Sequence, residues 1–219
     1  SLVQTGSPFD LKISVVDDFD SGAHPVYEGQ VSLTANVINN LPAQIDFVPG
    51  DDNSRRIRDL SIDSPGIYRV TANLPGSGYF ESNPIVVRDS VTTDIYWGNI
   101  HNHGWYSEGW GDSLDVFYSF ARDISGMDFV SLSDHLGRKP QATGNMGRLL
   151  RWRLNRFVSQ TEAWADTVEK AELYNDPPEF VTLIGYEWAD PEAGHYNIYD
   201  ADANMQNVDD IFEDNNVDI

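Results

Sequence analysis

One stretch decides the fold class of the second part of the chain: Asp128-Phe129-Val130-Ser131-Leu132-Ser133-Asp134-His135. Asp128–Leu132 has the apolar pattern of a buried strand, and Gly126 ends the helical pattern that precedes it. Asp134 and His135 follow the strand directly, so a carboxylate and an imidazole stand where the strand passes into its loop. This arrangement is typical of α/β proteins, whose active sites lie at the carboxyl ends of parallel strands.

The flanking segments continue this alternation of strand and helix. Ile95–Ile100 is strand-like, and Phe180–Ile184 is a further apolar strand. Ser113–Ile124 has a helical period with Ser113 as its cap, and its predicted apolar face consists of Val116, Phe117, Phe120, Ala121 and Ile124. A second helical stretch runs from about residue 147 to residue 174, with a break expected near Ser159. The order predicts right-handed crossovers and a parallel sheet, and hence an α/β domain over residues 91–219.

Four of the five histidines fall in this domain, close to predicted strand ends. His101 and His103 follow the first strand, and at this spacing along an extended backbone both imidazoles point to the same side. Glu187 follows the third predicted strand, and His195 comes eight residues later. Three strand ends that all carry His, Asp or Glu predict a metal site, whereas any single histidine would be as readily explained as a hydrogen-bonded residue.

The donor set predicts the kind of metal and the kind of chemistry. Imidazole and carboxylate without any Cys favour a divalent metal such as Zn, Mn, Fe or Co, and the number of donors predicts more than one ion. Because no Ser-His-Asp set and no Gly-x-Ser-x-Gly motif is visible, hydroxide on a metal is the most economical nucleophile. The prediction is a metal-dependent hydrolase.

The motifs resemble those of the PHP (polymerase and histidinol phosphatase) superfamily. The resemblance covers about residues 94 to 199, and it rests on these segments: Ile95–His103, Ser107–Gly109, Asp128–His135, Phe180–Trp188 and Gly194–Tyr199. It is strongest to a poorly characterised bacterial branch. It implies a distorted seven-stranded (β/α) barrel with two or three metal ions that hydrolyse phosphoesters, so the expected function is a phosphoesterase acting on anionic esters.

The resemblance also implies a role for each matching residue. His101 and His103 would hold the first metal, Glu187 would bridge it to a second, and His195 would be a ligand of that second metal. A third ion would be held by His135 and Glu108, although Asp112 is a rival for the role of Glu108. Asp134 would orient a ligand from behind, as carboxylates beside metal-bound imidazoles do. Glu187 and Asp134 are thereby the expected catalytic residues.

The sequence departs from the superfamily pattern in two further places. Asn99 stands where an acidic residue is usual, and the late motifs, another histidine and an Asp-x-His, are expected beyond Ile219. A barrel of this type needs more than the 129 residues of 91–219. We therefore expect only the amino-terminal part of the barrel here, with the carboxy-terminal half in the same gene or in a second chain.

A basic segment follows the His135 loop in an otherwise acidic domain. It contains Arg138, Lys139, Arg148, Arg151, Arg153 and Arg156 and no acid. As a clamp for an anionic substrate it would place Arg138, Lys139, Arg148 and Arg151 at the site, with Trp105 lining the entrance. The alternative is a solvated helix face that pairs with acidic neighbours.

Residues 1–90 have a different pattern, without a convincing helical period. Phe9–Val16, Gln30–Ile38, Ile67–Leu74 and Pro84–Arg88 read as short strands between clusters of Gly, Pro, Asp and Ser. Strands at this spacing predict an immunoglobulin-like β-sandwich with a structural or docking role. The predicted fold class is therefore an all-β sandwich followed by an α/β domain, a partial (β/α)7 barrel of the PHP type.

Composition excludes several partners. The 219 residues carry 14 Lys+Arg against 35 Asp+Glu, a net charge of 14 − 35 = −21, so duplex nucleic acid is not an expected partner and a small anionic substrate would need the local basic segment. No apolar run is long enough for a membrane span. The aspartate-rich surface fits a halophilic or marine source, or ordinary acidic solubility. The acidity and the appended sandwich favour a secreted or periplasmic protein.

Two alternatives remain beside the phosphoesterase. The same metal site would serve hydrolysis of a sulfate ester, an amide or a lactone, because a fold does not dictate its substrate. A non-catalytic extracellular binding or scaffold protein with a structural metal would instead have a saturated, closed coordination shell.

Overall fold

The chain folds into two compact units, seen in a computed structural model that describes residues 1–17, 26–107, 113–136, 160–190 and 194–201. The first unit is Ser1–Tyr96 with Asp123–Gly126, and the second is Trp97–Arg122 with the chain from Met127 onwards. The described residues are mostly β-strand, with two α-helices. No helix among them is both long enough and apolar enough to cross a membrane.

The first unit is built from nine strands among its described residues. They form three sheets with the orders β1-β9-β6, β2-β5 and β4-β3-β7-β8. Their bounds are β1 (Leu2–Gln4), β2 (Phe9–Ser14), β3 (Gly29–Thr34), β4 (Gln44–Phe47), β5 (Ser54–Leu60), β6 (Gly66–Tyr68), β7 (Thr71–Leu74), β8 (Gly78–Glu81) and β9 (Ile85–Arg88).

Alternation of side chains builds the core of this unit. In β3, Val31 and Leu33 are buried while Gln30, Ser32 and Thr34 are exposed, which is the period of two that a half-buried strand requires. Val31 and Leu33 join Ile45, Phe47, Val70 and Val87 in one apolar cluster. An all-β first unit is therefore what the structure shows, and its immunoglobulin-like topology stays a prediction.

One predicted strand of this unit is wrong. Ile67–Leu74 is not continuous, because β6 and β7 belong to different sheets: β6 pairs with β9, and β7 pairs with β3 and β8. The chain leaves one sheet for the other at Arg69 and Val70, where the Val70 amide donates to Ser82 Oγ at 3.0 Å instead of to a strand partner. A change of sheet leaves the alternation of side chains intact, so the sequence pattern did not reveal it.

The second unit contains six strands and both helices among its described residues. Two three-stranded sheets have the orders β10-β11-β13 and β12-β14-β15. Their strands are β10 (Gly98–Asn99), β11 (Phe129–Ser131), β12 (His135–Leu136), β13 (Val181–Leu183), β14 (Gly185–Asp190) and β15 (Gly194–Tyr199). The helices are α1 (Leu114–Ser119), which continues into a π-helical turn at Phe120–Ile124, and α2 (Gln160–Tyr174).

The predicted parallel sheet is confirmed in the first of these sheets. Gly98 is opposite Phe129, and Phe129 is opposite Val181, all three strands running the same way. The described strands do not close into a barrel, so the PHP-type barrel stays a prediction. Ser113 caps α1 as predicted, because its Oγ accepts from the Val116 amide at 3.3 Å.

The buried face of α1 differs from the prediction. Leu114, Tyr118 and Ala121 are the buried residues, whereas Val116 is 50% exposed. The three buried residues are spaced i, i+4 and i+7, so the helix keeps the α-helical period, but its buried face is centred on Tyr118 and shares only Ala121 with the predicted set. The residues expected in loops also differ: His135, Glu187 and His195 lie within β12, β14 and β15.

Candidate metal centre

Glu187 is the hub of the site. It lies in the middle of β14 and is 4% exposed. Its Oε2 is 3.3 Å from His101 Nε2, 3.2 Å from His103 Nε2 and 3.4 Å from His135 Nδ1. Its Oε1 is 2.7 Å from His195 Nδ1. One carboxylate thus contacts four imidazoles, three with one oxygen and one with the other.

Strand pairing places two of these histidines beside Glu187. His135 is directly opposite Glu187 in the parallel pair β12–β14, and the Glu187 amide donates to Asp134 O at 3.1 Å. His195 comes from the antiparallel strand β15, where its backbone is opposite Ala189. The rings of His135 and His195 are 4.9 Å apart between centroids, and those of His103 and His135 are 4.6 Å apart.

Asn102 fixes the backbone between the other two histidines. Its Nδ2 donates to Ser131 O at 2.9 Å and to Asn99 O at 3.1 Å. Its backbone carbonyl accepts from the Ser133 amide at 2.8 Å. Asn102 is therefore tied to β11 while the two imidazoles on either side of it reach Glu187. The rings of His101 and His103 lie 5.2 Å apart.

The electrostatics of Glu187 depend on the histidines. Burial by itself raises the pKa of Glu187, but the surrounding imidazoles of His135, His195, His101 and His103 outweigh burial and leave the pKa below its ordinary value of 4.5. The carboxylate is therefore ionised at neutral pH, which is the state a metal ligand requires.

Asp134 lies behind the histidines and is also 4% exposed. Its Oδ1 accepts from the Gly104 amide at 2.7 Å and from Ser107 Oγ. Ser107 Oγ in turn is 3.0 Å from His103 Nδ1. Burial raises the pKa of Asp134 more than the hydrogen bonds from Ser107 and Gly104 lower it. Asp134 thus contacts a predicted ligand through a hydroxyl rather than directly.

The arrangement fits a metal ion by the chemistry of its donors. Two groups of side chains have ligand atoms within 4.8 Å of one another, His101 with His103 and Glu187, and His135 with Glu187 and His195. Imidazole nitrogen and carboxylate oxygen are the donors that Zn, Mn and Fe take in proteins. The cluster could hold a metal ion, and the two groups share Glu187.

The structure brings together five of the six predicted ligands. The sixth, Glu108, and its rival Asp112 lie outside the described residues, as do Arg138, Lys139, Arg148 and Arg151 of the predicted substrate clamp. Trp105 is partly buried and packs against the apolar cluster around Leu114 and Tyr118. Its place at a substrate entrance stays a prediction.

Sequence reasoning missed two residues of this region. The position of Ser107, four residues after His103, gives no sign in the sequence that the turn brings its hydroxyl back to the imidazole ring. Asn197 is opposite Glu187 in the β14–β15 pair and lies two residues after His195, so its side chain is on the same face of the sheet. Its Oδ1 is buried without a hydrogen-bond partner among the described residues. The period of two along β15, which puts Asn197 on the same face as His195, is the sequence signal that would have identified it.

These contacts define a candidate metal centre. Residues 127–207 match a family described as a protein of unknown function (DUF3604). The matched residues include His135, Glu187 and His195 and begin after His101 and His103. No curated protein matches the chain.

Among solved structures, the chain is similar to a carbohydrate acetylesterase from Xanthomonas citri, at 9% identity and a TM-score of 0.27. The likeness covers 88% of this chain and 40% of that chain, so this chain spans less than half the length of the esterase. At this TM-score the likeness carries no argument about fold or function.

Proposed function

We propose that the protein is a metal-dependent hydrolase of anionic esters, phosphoesters first. The observation that carries the proposal is the sharing of one buried carboxylate by four imidazoles, with Glu187 Oε2 facing His101, His103 and His135 and Oε1 facing His195. A buried glutamate that belongs to two groups of nitrogen donors, His101 with His103 and His135 with His195, is suited to bridge two ions.

The proposed centre has two parts. His101, His103 and Glu187 would hold one ion, and His135, His195 and Glu187 would hold the other. Bound there, a pair of divalent ions would supply Lewis acidity toward the ester and lower the pKa of water toward about 7. The resemblance of residues 94–199 to the PHP superfamily supports phosphoesters as the first substrate class.

The chain's own residues prepare this site before any ion binds. Glu187 is held ionised, because the imidazoles around it lower its pKa below 4.5 despite burial. Asn102 holds the backbone of the His-x-His segment against β11. Asp134 and Ser107 hold the far side of His103. Rigid support of ligands from behind is what sets metal affinity and geometry.

Exposure favours a catalytic rather than a structural site. The side chains of His101 and His195 are 51% and 54% exposed, while that of Glu187 is 5% exposed. One side of the cluster is therefore buried and the other is accessible to solvent. Structural metal sites are closed, whereas catalytic sites keep a position open to substrate. This difference argues against the scaffold alternative with a saturated ion.

The test is metal-dependent hydrolysis by the 219-residue chain and by the longest natural chain that contains it. The substrates are nitrophenyl phosphate monoester and diester, with nitrophenyl sulfate and nitrophenyl acetate for the other ester classes. We expect activity with added Zn²⁺ or Mn²⁺, loss of activity with a chelator, and loss in His101→Ala. His24→Ala is the matched control, because it removes the histidine of the first 90 residues, and it should keep wild-type activity.

Two results would contradict the proposal. Hydrolysis that survives both the chelator and His101→Ala would show that the reaction does not use this centre. Stoichiometric metal binding without hydrolysis of any ester in either chain would instead favour the scaffold protein. Faster hydrolysis of the sulfate or acetate substrate would leave the proposed metal centre intact but show that phosphoesters are not the preferred substrate class.

A further inference from the structure

The two ring nitrogens of His103 face different groups. Nε2 is 3.2 Å from Glu187 Oε2, on the side of the proposed metal. Nδ1 is 3.0 Å from Ser107 Oγ, on the opposite side. A neutral imidazole carries one proton, and only the nitrogen without it has a lone pair for a metal. The position of that proton therefore decides whether His103 is a ligand.

The hydrogen bonds around Ser107 fix the position of the proton. The Ser107 hydroxyl has one proton, and it donates that proton to Asp134 Oδ1. Asp134 Oδ1 also accepts from the Gly104 amide at 2.7 Å, so this oxygen is an acceptor. An ionised Asp134 can only accept, and a proton on its Oδ2 would be buried without an acceptor among the described residues. Ser107 Oγ is thus left to accept, and His103 Nδ1 must donate to it.

Burial strengthens this assignment. Ser107 is 6% exposed and Asp134 is 4% exposed, so water does not compete for the hydroxyl or for the carboxylate. Gly104 allows the close approach, because a Cβ at this position would lie 2.9 Å from Asp134 Oδ2 and 2.9 Å from Leu132 Cδ1. Gly104 thus keeps the Asp134 carboxylate beside Ser107 in two ways: its amide donates to the carboxylate, and its lack of a side chain leaves room for it.

We propose that Ser107 is a positioning residue that keeps His103 in the Nδ1–H tautomer, with Asp134 as the acceptor behind it. The Ser107 hydroxyl donates to the Asp134 carboxylate and accepts from His103 Nδ1–H. The other ring nitrogen, Nε2, therefore has its lone pair beside Glu187 before a metal binds. The role in metal binding rests on the proposed function, whereas the tautomer of the metal-free protein does not. A ligand that is already in the correct tautomer and orientation loses less free energy on binding.

The experiment reads the tautomer directly. Nitrogen-15 imidazole spectra of the metal-free, histidine-labelled chain are recorded at a pH where the rings are neutral, and the His103 signals are assigned by their loss in His103→Gln. Wild type should show a protonated Nδ1 and an unprotonated Nε2. In Ser107→Ala both tautomers should appear, and affinity for Zn²⁺ should fall by about 10–100-fold. Ser107→Thr keeps the hydroxyl and should restore the wild-type tautomer.

Ser131→Ala is the matched control. It removes another buried hydroxyl of the same domain, whose hydrogen bonds go to the backbone carbonyls of Leu183 at 3.0 Å and Leu132 at 3.3 Å. This variant should leave the tautomer of His103 and the affinity for Zn²⁺ at their wild-type values. A lower affinity in both alanine variants would therefore indicate a general structural effect and overturn the inference.

The outcomes separate the inference from the proposed function. An Nε2–H tautomer in wild type, or an unchanged tautomer in Ser107→Ala, overturns the inference and leaves the metal centre standing. If the tautomer changes in Ser107→Ala but the chain binds neither Zn²⁺ nor Mn²⁺, the positioning role of Ser107 is supported. The same result overturns the proposed function.

Discussion

Two buried carboxylates with the same exposure have opposite pKa shifts. Glu187 and Asp134 are each 4% exposed, and burial alone would raise the pKa of both. Four imidazoles surround Glu187 and lower its pKa, whereas Asp134 contacts a hydroxyl and backbone amides and its pKa stays raised. The difference agrees with the proposed roles, in which Glu187 would bind the ion and Asp134 would support a ligand from behind.

Sharing of Glu187 predicts different effects for two substitutions. Glu187→Gln should weaken binding of both ions by more than about 100-fold, beyond the 10–100-fold loss typical of a group behind a ligand. His195→Ala should weaken only one ion, because His195 belongs to one of the two groups. Isothermal titration calorimetry with Zn²⁺ or Mn²⁺ measures both effects, because it gives the affinity and the number of ions bound per chain. Equal loss of both ions in His195→Ala would contradict the division into two groups.

For single residues, the sequence predicted which candidate ligands lie together, but it did not predict the residues that contact them. His101, His103, His135, Glu187 and His195 could be named because imidazoles and carboxylates at strand ends are a chemical pattern. Ser107 and Asn197 could not be named in the same way. Their contribution depends on where a turn and a hairpin place them, and Ser and Asn are common at turns for other reasons.

For the secondary-structure elements, the sequence did not show which strands pair with one another. The predicted strand Phe180–Ile184 corresponds to β13, but the apolar run gave no sign that β14 begins at once and carries Glu187. Only pairing with β15 brings His195 to the buried carboxylate. Pairing is non-local, so propensity within a segment does not determine it. The parallel order of β10, β11 and β13 was predictable because it follows from connectivity.

The turn between β4 and β5 depends on the charge of Asp51. Its Oδ2 accepts from the Val48 amide at 2.7 Å, and its Oδ1 accepts from Arg55 Nη1 at 2.9 Å. These two contacts, the amide first, hold the pKa of Asp51 below its ordinary value of 3.8. An aspartate with a lowered pKa stabilises the fold above its unfolded pKa, and this contribution disappears as the pH falls through the folded value.

Asp51→Asn should therefore lower the urea midpoint of the first unit at pH 7 and have no effect in strong acid. The two unfolding curves should converge as the pH falls below 3.8, where wild type also loses the charge. Far-UV circular dichroism follows the transition. Asp52→Asn changes the net charge equally within the same turn, and it should shift the midpoint less. A difference that persists unchanged at acidic pH would show that the carboxylate charge is not responsible.

In the whole molecule, the two units differ in tryptophan content, so unfolding of the second unit can be followed separately by fluorescence. All six tryptophans fall between residues 97 and 188, within the second unit, and Trp164 is 2% exposed in an apolar cluster with Leu136. The first unit has its own apolar core around Val31, Phe47 and Val87. Tryptophan fluorescence consequently reports on the second unit alone, and far-UV circular dichroism includes the strands of both units.

Metal binding should therefore stabilise one unit and not the other. A ligand that binds only the folded state adds RT ln(1 + [L]/Kd), about 2.7 kcal/mol at a free metal concentration of 100 Kd. With saturating Zn²⁺ or Mn²⁺, the midpoint detected by tryptophan fluorescence should rise, and a chelator should reverse the rise. The part of the dichroism transition that fluorescence does not follow should stay in place, because the five candidate ligands all belong to the second unit. Glu187→Gln should abolish the fluorescence shift, which separates binding at this centre from nonspecific binding to an acidic surface. A shift of equal size in that variant would contradict metal binding at Glu187.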